Sequence, residues 1–120
     1  MWTPITAIEL LAEIQKTETD LKGELWEFWQ LIKIEPEKWI EPKYGELGGG
    51  FWVVAIYRNQ VIWYNDIEEG FNVSTYKKYG HINGYYCNQD GLSYAVIRVF
   101  NSIKSGGKVT MHRAPPTKLT

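Results

Sequence analysis

Residues 51–65, FWVVAIYRNQVIWYN, constrain the fold more than any other stretch of this chain. Phe51 to Tyr57 is apolar at nearly every position, as a strand covered on both faces requires. Arg58-Asn59-Gln60 makes a short turn and VIWYN returns, so the stretch predicts a β-hairpin. In FNVSTY, Phe71, Val73 and Thr75 alternate with Asn72, Ser74 and Tyr76, the pattern of a half-exposed third strand. HINGYYCN, residues 81–88, predicts a fourth.

The flanks supply the helices. Thr6 and Glu9 have the spacing of a capping box, in which hydroxyl and carboxylate satisfy each other's free backbone N–H groups. Ala7, Leu11, Ile14, Leu21, Leu25, Phe28 and Ile32 then recur in steps of four and three, interrupted at Glu18, with Trp26 and Trp29 widening the stripe. One unbroken helix to residue 33 would be roughly 40 Å long, too long for a small domain. A break between Thr17 and Gly23 is therefore expected, giving two helices. KIEPEKWIEPKYGELGGG reads as loop, punctuated by Pro36 and Pro42, with Trp39 and Tyr44 tucked onto the body. Asn88 or Asp90 is expected to cap a last helix carrying Leu92, Val96, Val99 and Ile103, stopped by Gly106-Gly107. This order predicts an α+β domain over residues 1–103: N-terminal helices, a four-stranded antiparallel meander, and a C-terminal helix packed on one sheet face.

Charge is unevenly spread. Residues 104–120 hold four bases and no acid and read as a mobile basic tail, whereas the preceding 103 residues carry nine basic and fourteen acidic groups. A body of that sign repels phosphate, which argues against nucleic acid as a partner. No apolar run is long enough for a membrane span, and MWTPITAIELL lacks the basic start of a secretory signal. Together these predict a soluble, cytoplasmic protein.

Most apparent chemical motifs dissolve on inspection. The glycines of GELGGGF lead into a strand, not into the helix a phosphate loop needs, so Gly48 to Gly50 read as a sharp turn or a close approach to a packed aromatic. His81 and Cys87 would share a face of the predicted fourth strand, but no orienting group or oxyanion hole accompanies them, and a small buried thiol is expected. His81 and His112 are too far apart, and cysteine too scarce, for a zinc site; no metal or cofactor is expected. Asp66 or Glu68 could serve a hydrolase only if an apolar pocket raised its pKa, so the chain reads as non-enzymatic. Asn65 or Asp66 bonding its own backbone, with Gly70 in a left-handed conformation, accounts for the turn.

What that turn does not account for is the aromatic frame around the acids. Trp63, Tyr64, Asn65, Asp66, Glu68, Glu69 and Phe71 combine aromatic anchors with carboxylates, the composition of a patch for a basic protein partner. Asn72, Ser74 and Tyr76 would continue it across a sheet face left open by the helices. An open sheet face and edge strand also leave room for a homodimer. PEKW, GGGFWVVA, WYNDIEEGFN and YYCNQD resemble a group of small bacterial domains, and the order of helices, meander and helix resembles immunity proteins of bacterial toxin systems, including the SMI1/KNR4-like group. That resemblance implies a protein that binds and blocks a cognate toxin without catalysis of its own. The alternative is a small-ligand or carbohydrate binder in which Trp52, Trp63 and Tyr64 stack on sugar rings while Asn65 and Asp66 bond hydroxyls.

Overall fold

In the computed structural model, which describes residues 3–44 and 49–104, the chain forms α1 (Ala7–Glu18), α2 (Gly23–Ile32), β1 (Lys33–Trp39), β2 (Phe51–Tyr57), β3 (Gln60–Asn65), β4 (Gly70–Thr75) and α3 (Leu92–Lys104). The strands lie in the order β1-β2-β3-β4, each antiparallel to its neighbour. The fold is α+β, with a four-stranded meander and helices on one face. The tail from residue 105 onward and Gly48 lie outside the described residues.

The capping box is formed: the Thr6 hydroxyl accepts from Glu9 N at 3.1 Å, and the Glu9 carboxylate accepts from Thr6 N at 3.0 Å. The expected break falls between Glu18 and Gly23. There Thr17 donates its hydroxyl to the Glu13 carbonyl at 3.0 Å, and Leu21 is buried in the link between helices. The phase of α1 differs from the expected stripe. Leu10 and Ile14 enter the core, whereas Ala7 and Leu11 face outward.

The hairpin and third strand form where expected, although the third is buried on both faces and not half-exposed, and the fourth strand is a different segment. KIEPEKW, expected as loop, is β1 and continues directly from α2. Pro36 is tolerated because β1 is an edge strand, and its pairing with β2 is irregular between Lys33 and Glu37. HINGYYCN forms neither strand nor helix; its only ladder-type pairings among the described residues are isolated bridges from His81 to Ile40 and from Asn83 to Thr75. Its aromatic content serves as cover for the sheet.

That cover creates a second core. On the helix side, Val54, Ala55, Ile62, Tyr64, Phe71 and Val73 pack with Leu10, Ile14, Phe28, Trp29, Leu92 and Val96. On the other side, Trp39, Phe51, Val53, Val61 and Trp63 pack with Ile82, Tyr76 and Tyr85. The sheet face expected to be open is therefore covered. A shift in the β2–β3 register between Val53 and Ala55 turns both Val54 and Ala55 toward the helices, and with Phe51 and Val53 buried on the far side β2 is apolar without a break. At the start of β2, Gly50 has φ +108° and passes so close to Trp39 that a Cβ would strike its backbone carbonyl, the close approach expected of the glycine run.

Candidate functional site

The β3–β4 turn is built by Asn65. Its side-chain oxygen accepts from Ile67 N at 3.0 Å and Glu68 N at 3.2 Å, and its carbonyl accepts from Glu69 N at 2.7 Å. The left-handed residue is Glu69, with φ +62°, not Gly70. Gly70 is required for another reason: a Cβ there would overlap Asn88 and Gln89 backbone. Asp66 faces the other way and accepts from Ile5 N at 2.7 Å, while Trp52 Nε1 donates to Ile5 O at 3.3 Å. Both backbone polar groups of Ile5 are thus held by side chains from the sheet layer, which sets the start of α1 beside the acidic turn.

The result is a cleft of about 550 Å³ between the start of α1 and the β3–β4 turn. Glu9, Glu13, Asp66 and Glu69 line it with carboxylates; Pro4, Ile5 and Ala12 supply apolar wall, and Tyr64 completes it. The Tyr64 ring packs edge-on against Phe71 at 4.9 Å and the residue is 7% exposed. Its hydroxyl has no hydrogen-bond partner among the described residues. Burial, followed by the carboxylates of Glu13, Glu69 and Asp66, pushes the Tyr64 phenol up to about 12. Glu9 is held below the usual carboxylate range by the Thr6 backbone N–H and hydroxyl.

The residues expected to form one exposed patch are divided. Tyr64, Asp66 and Glu69 line the cleft, and Phe71 supports Tyr64 from below. Trp63, Asn65, Asn72 and Ser74 are buried and hold the covering segment in place. Asn72 accepts from Asn88 N at 2.9 Å and donates to Asn88 O at 3.1 Å; Asn65 donates to Tyr86 O at 3.0 Å. Ser74 accepts from Trp63 Nε1 at 2.9 Å and donates to Gly84 O at 2.8 Å. Tyr76 packs on Trp39 and donates its hydroxyl to Arg58 O, clasping the β2–β3 turn. Glu68 is half-buried at the turn and does not line the cleft. The exposed aromatic platform over residues 63–76 is not formed. Trp63 and Tyr64 are buried, and Trp52 lies half-buried under the Lys38 ammonium.

Cys87, expected in the core, is exposed, and so is His81. The segment between them has no strand geometry to align them. Among the described residues no group of three or more His, Cys, Asp or Glu is placed to hold a metal ion, and no helix is long and apolar enough to cross a membrane. Asp90, expected as a cap, lies one residue further out and pairs with Arg98 at 2.7 Å, while Gly91 O accepts the first helical N–H of α3 from Ala95. Comparison with protein-family models, with curated proteins and with solved structures finds no match for this chain.

Glu9 and Glu13 are the site residues that sequence reasoning missed. Their spacing of four on α1 puts them on one helix face, and that signal was available. Their meeting with Asp66 depends on the Ile5–Asp66 bond, a contact across 61 residues that no local pattern announces.

Proposed function

We propose that this is a non-enzymatic binding domain for a basic polypeptide, and that the cleft between α1 and the β3–β4 turn is its contact centre. The most concrete version is a bacterial immunity protein that masks a cationic toxin domain. The observation carrying this reading is the convergence of Glu9, Glu13, Asp66 and Glu69 on one concave surface. Carboxylates from two distant segments reinforce one another's potential there, in a body whose first 103 residues carry five more acids than bases. Such a surface steers a cationic partner and speeds encounter, while Pro4, Ile5 and Ala12 offer apolar area for the bound state. Masking of the partner then requires no chemistry on its part.

The test is a capture experiment from lysate with wild type and the Glu13→Lys/Glu69→Lys variant. Both side chains lie toward the surface, so charge reversal leaves the core untouched. A basic protein held by wild type, released by salt and lost in the variant supports the reading. Equal retention by both proteins removes the cleft from the interface.

A further inference from the structure

Asn83-Gly84 lies away from the cleft, in the irregular segment that covers the second core. We infer that this pair is a self-modification site: the Gly84 amide nitrogen attacks the Asn83 side-chain carbonyl, and the lengthened product loosens the cover. The attack meets least resistance when glycine follows asparagine, because no Cβ keeps the glycine nitrogen away from the neighbouring side chain. Both residues are exposed here, and Gly84 has φ +106°. Among the described residues neither the Asn83 side-chain amide nor the Gly84 N–H is hydrogen-bonded. Electrophile and nucleophile are therefore both free. The Asn65 and Asn72 side chains, by contrast, are buried and hydrogen-bonded, and neither precedes a glycine. Asp90 does precede one, but its carboxylate is paired with Arg98 at 2.7 Å, and a paired carboxylate is a poor electrophile.

The reaction needs only water. The Gly84 nitrogen gives up its proton and bonds to Asn83 Cγ, the Cγ–Nδ2 bond breaks, and ammonia leaves a succinimide ring behind. Water then adds to either ring carbonyl and opens it, with no change of oxidation state. One opening leaves aspartate on the original backbone. The other leaves isoaspartate, whose main chain runs through the former side chain and is longer by a methylene. The fold makes that second product matter. Two anchors to β4 bracket the reacting pair: Asn83 N donates to Thr75 O at 3.0 Å, and Gly84 O accepts from the Ser74 hydroxyl at 2.8 Å. Just outside them, Ile82 is buried, and Tyr85 packs on Trp63 at 6.0 Å and on Phe51 at 6.1 Å. The rise along β4 is fixed, so a longer covering chain cannot keep both anchors and both seats. Isoaspartate at position 83 releases the Gly84 carbonyl from Ser74 and lifts Tyr85 from the core. Ser74 also accepts from Trp63 Nε1 at 2.9 Å, so a buried indole reports the change. The far cover thus loosens with age while the helix side stays packed.

The test is ageing of the full chain at mildly alkaline pH in heavy-oxygen water, followed by peptide mass spectrometry. Asn83→Gln, which keeps an amide at the exposed position but closes a ring far more slowly, is aged beside it. In wild type, residue 83 should lose ammonia and take up a single heavy oxygen, giving both aspartate and isoaspartate. The rate should rise with pH, because the attacking nitrogen must be deprotonated, and Asn83→Gln should stay unmodified there. In the isoaspartate protein, amide exchange across residues 82–86 should be about tenfold faster, the usual effect of losing one neutral hydrogen bond. The Trp63 indole N–H resonance should move with it, while the helix amides are unchanged. Asn83→Asp carries the charge without the methylene and should match unaged wild type in both readouts. An unmodified residue 83, under conditions that modify the urea-unfolded chain, overturns the site. Isoaspartate protein with unaltered exchange and indole resonance overturns its effect on the cover. If Asn83→Asp reproduces the whole change, charge is the cause and the lengthened backbone is not.

Discussion

On the helix side of the sheet, Ile62, Phe71 and Val73 meet α2, α3 and α1 through apolar contact; on the far side, Trp39, Val61 and Trp63 are covered by a segment that has neither helix nor strand. The two covers impose different demands on the strands below. A helix satisfies its backbone internally and needs only a matching apolar surface. An irregular segment brings unsatisfied N–H and C=O groups, and burying them without partners is costly. Here the strands supply those partners. Asn65, Asn72 and Ser74, all buried, present side-chain amides and a hydroxyl to the Tyr86, Asn88 and Gly84 backbone. Polar residues alternating along a strand therefore need not mark a face open to water.

The comparison is broken most severely at Gly70. In Gly70→Ala the new methyl would overlap the Asn88 carbonyl and the Gln89 backbone, which cannot move aside as a side chain would. We expect a loss of about 3 kcal/mol or more in urea unfolding, at the upper end for overpacking. A loss under 1 kcal/mol would mean that residues 88–89 are not held where the hydrogen bonds place them. Asn72→Leu comes next. It keeps the volume but strands both Asn88 backbone groups, and should cost about 2–3 kcal/mol. Leu10→Ala on the helix side should cost a similar or larger amount, about 2–5 kcal/mol. Hydrogen exchange separates the two. Asn72→Leu should accelerate exchange at Asn83 and Asn88 ahead of the helix amides, whereas Leu10→Ala should lower protection throughout. Identical exchange patterns would show that the covers are one cooperative unit.

The same contrast explains what was legible in the sequence. Periodicity reports regular elements, so the capping box, the helical break, the hairpin and α3 could all be read. The second cover could not, because Tyr79 and Tyr85 follow no repeat and do their packing from irregular backbone. Its aromatic density made residues 81–88 look like a strand, while the real strand β1 was disguised by Pro36 and by charges suited to an edge. The site was legible in half. Asp66 and Glu69 announced themselves as an acidic turn, and Tyr64 as a nearby aromatic. That Trp63 and Tyr64 point to opposite faces follows from strand alternation, and this alone divides the expected patch in two.

Two tyrosines sharpen the comparison further, one from each side. Both titrate above the ordinary range, for different reasons. Tyr64 is raised mainly by burial, then by neighbouring carboxylates, to about 12. Ionisation therefore opposes the fold: there is no penalty below the unfolded pKa, near 10, and stability is lost as pH rises from there toward 12. Tyr64→Phe should therefore flatten the alkaline decline of the melting temperature, and an unchanged decline would show that the phenol is solvated. Tyr79, on the far side, is exposed and is raised mainly by its 2.6 Å hydrogen bond to Glu37, whose own carboxyl is lowered by the same bond and then by Trp39 Nε1. That bond adds stability above the unfolded pKa of Glu37 and below that of Tyr79, and is lost toward either extreme. Solvent screening makes it the smallest effect of the series. Tyr79→Phe should lower the melting temperature slightly at neutral pH and leave it unchanged in strong acid, where Glu37 is protonated in both proteins. A deficit that persisted in acid would assign the role of Tyr79 to its ring, which packs on Trp39 at 4.7 Å, and not to its hydroxyl.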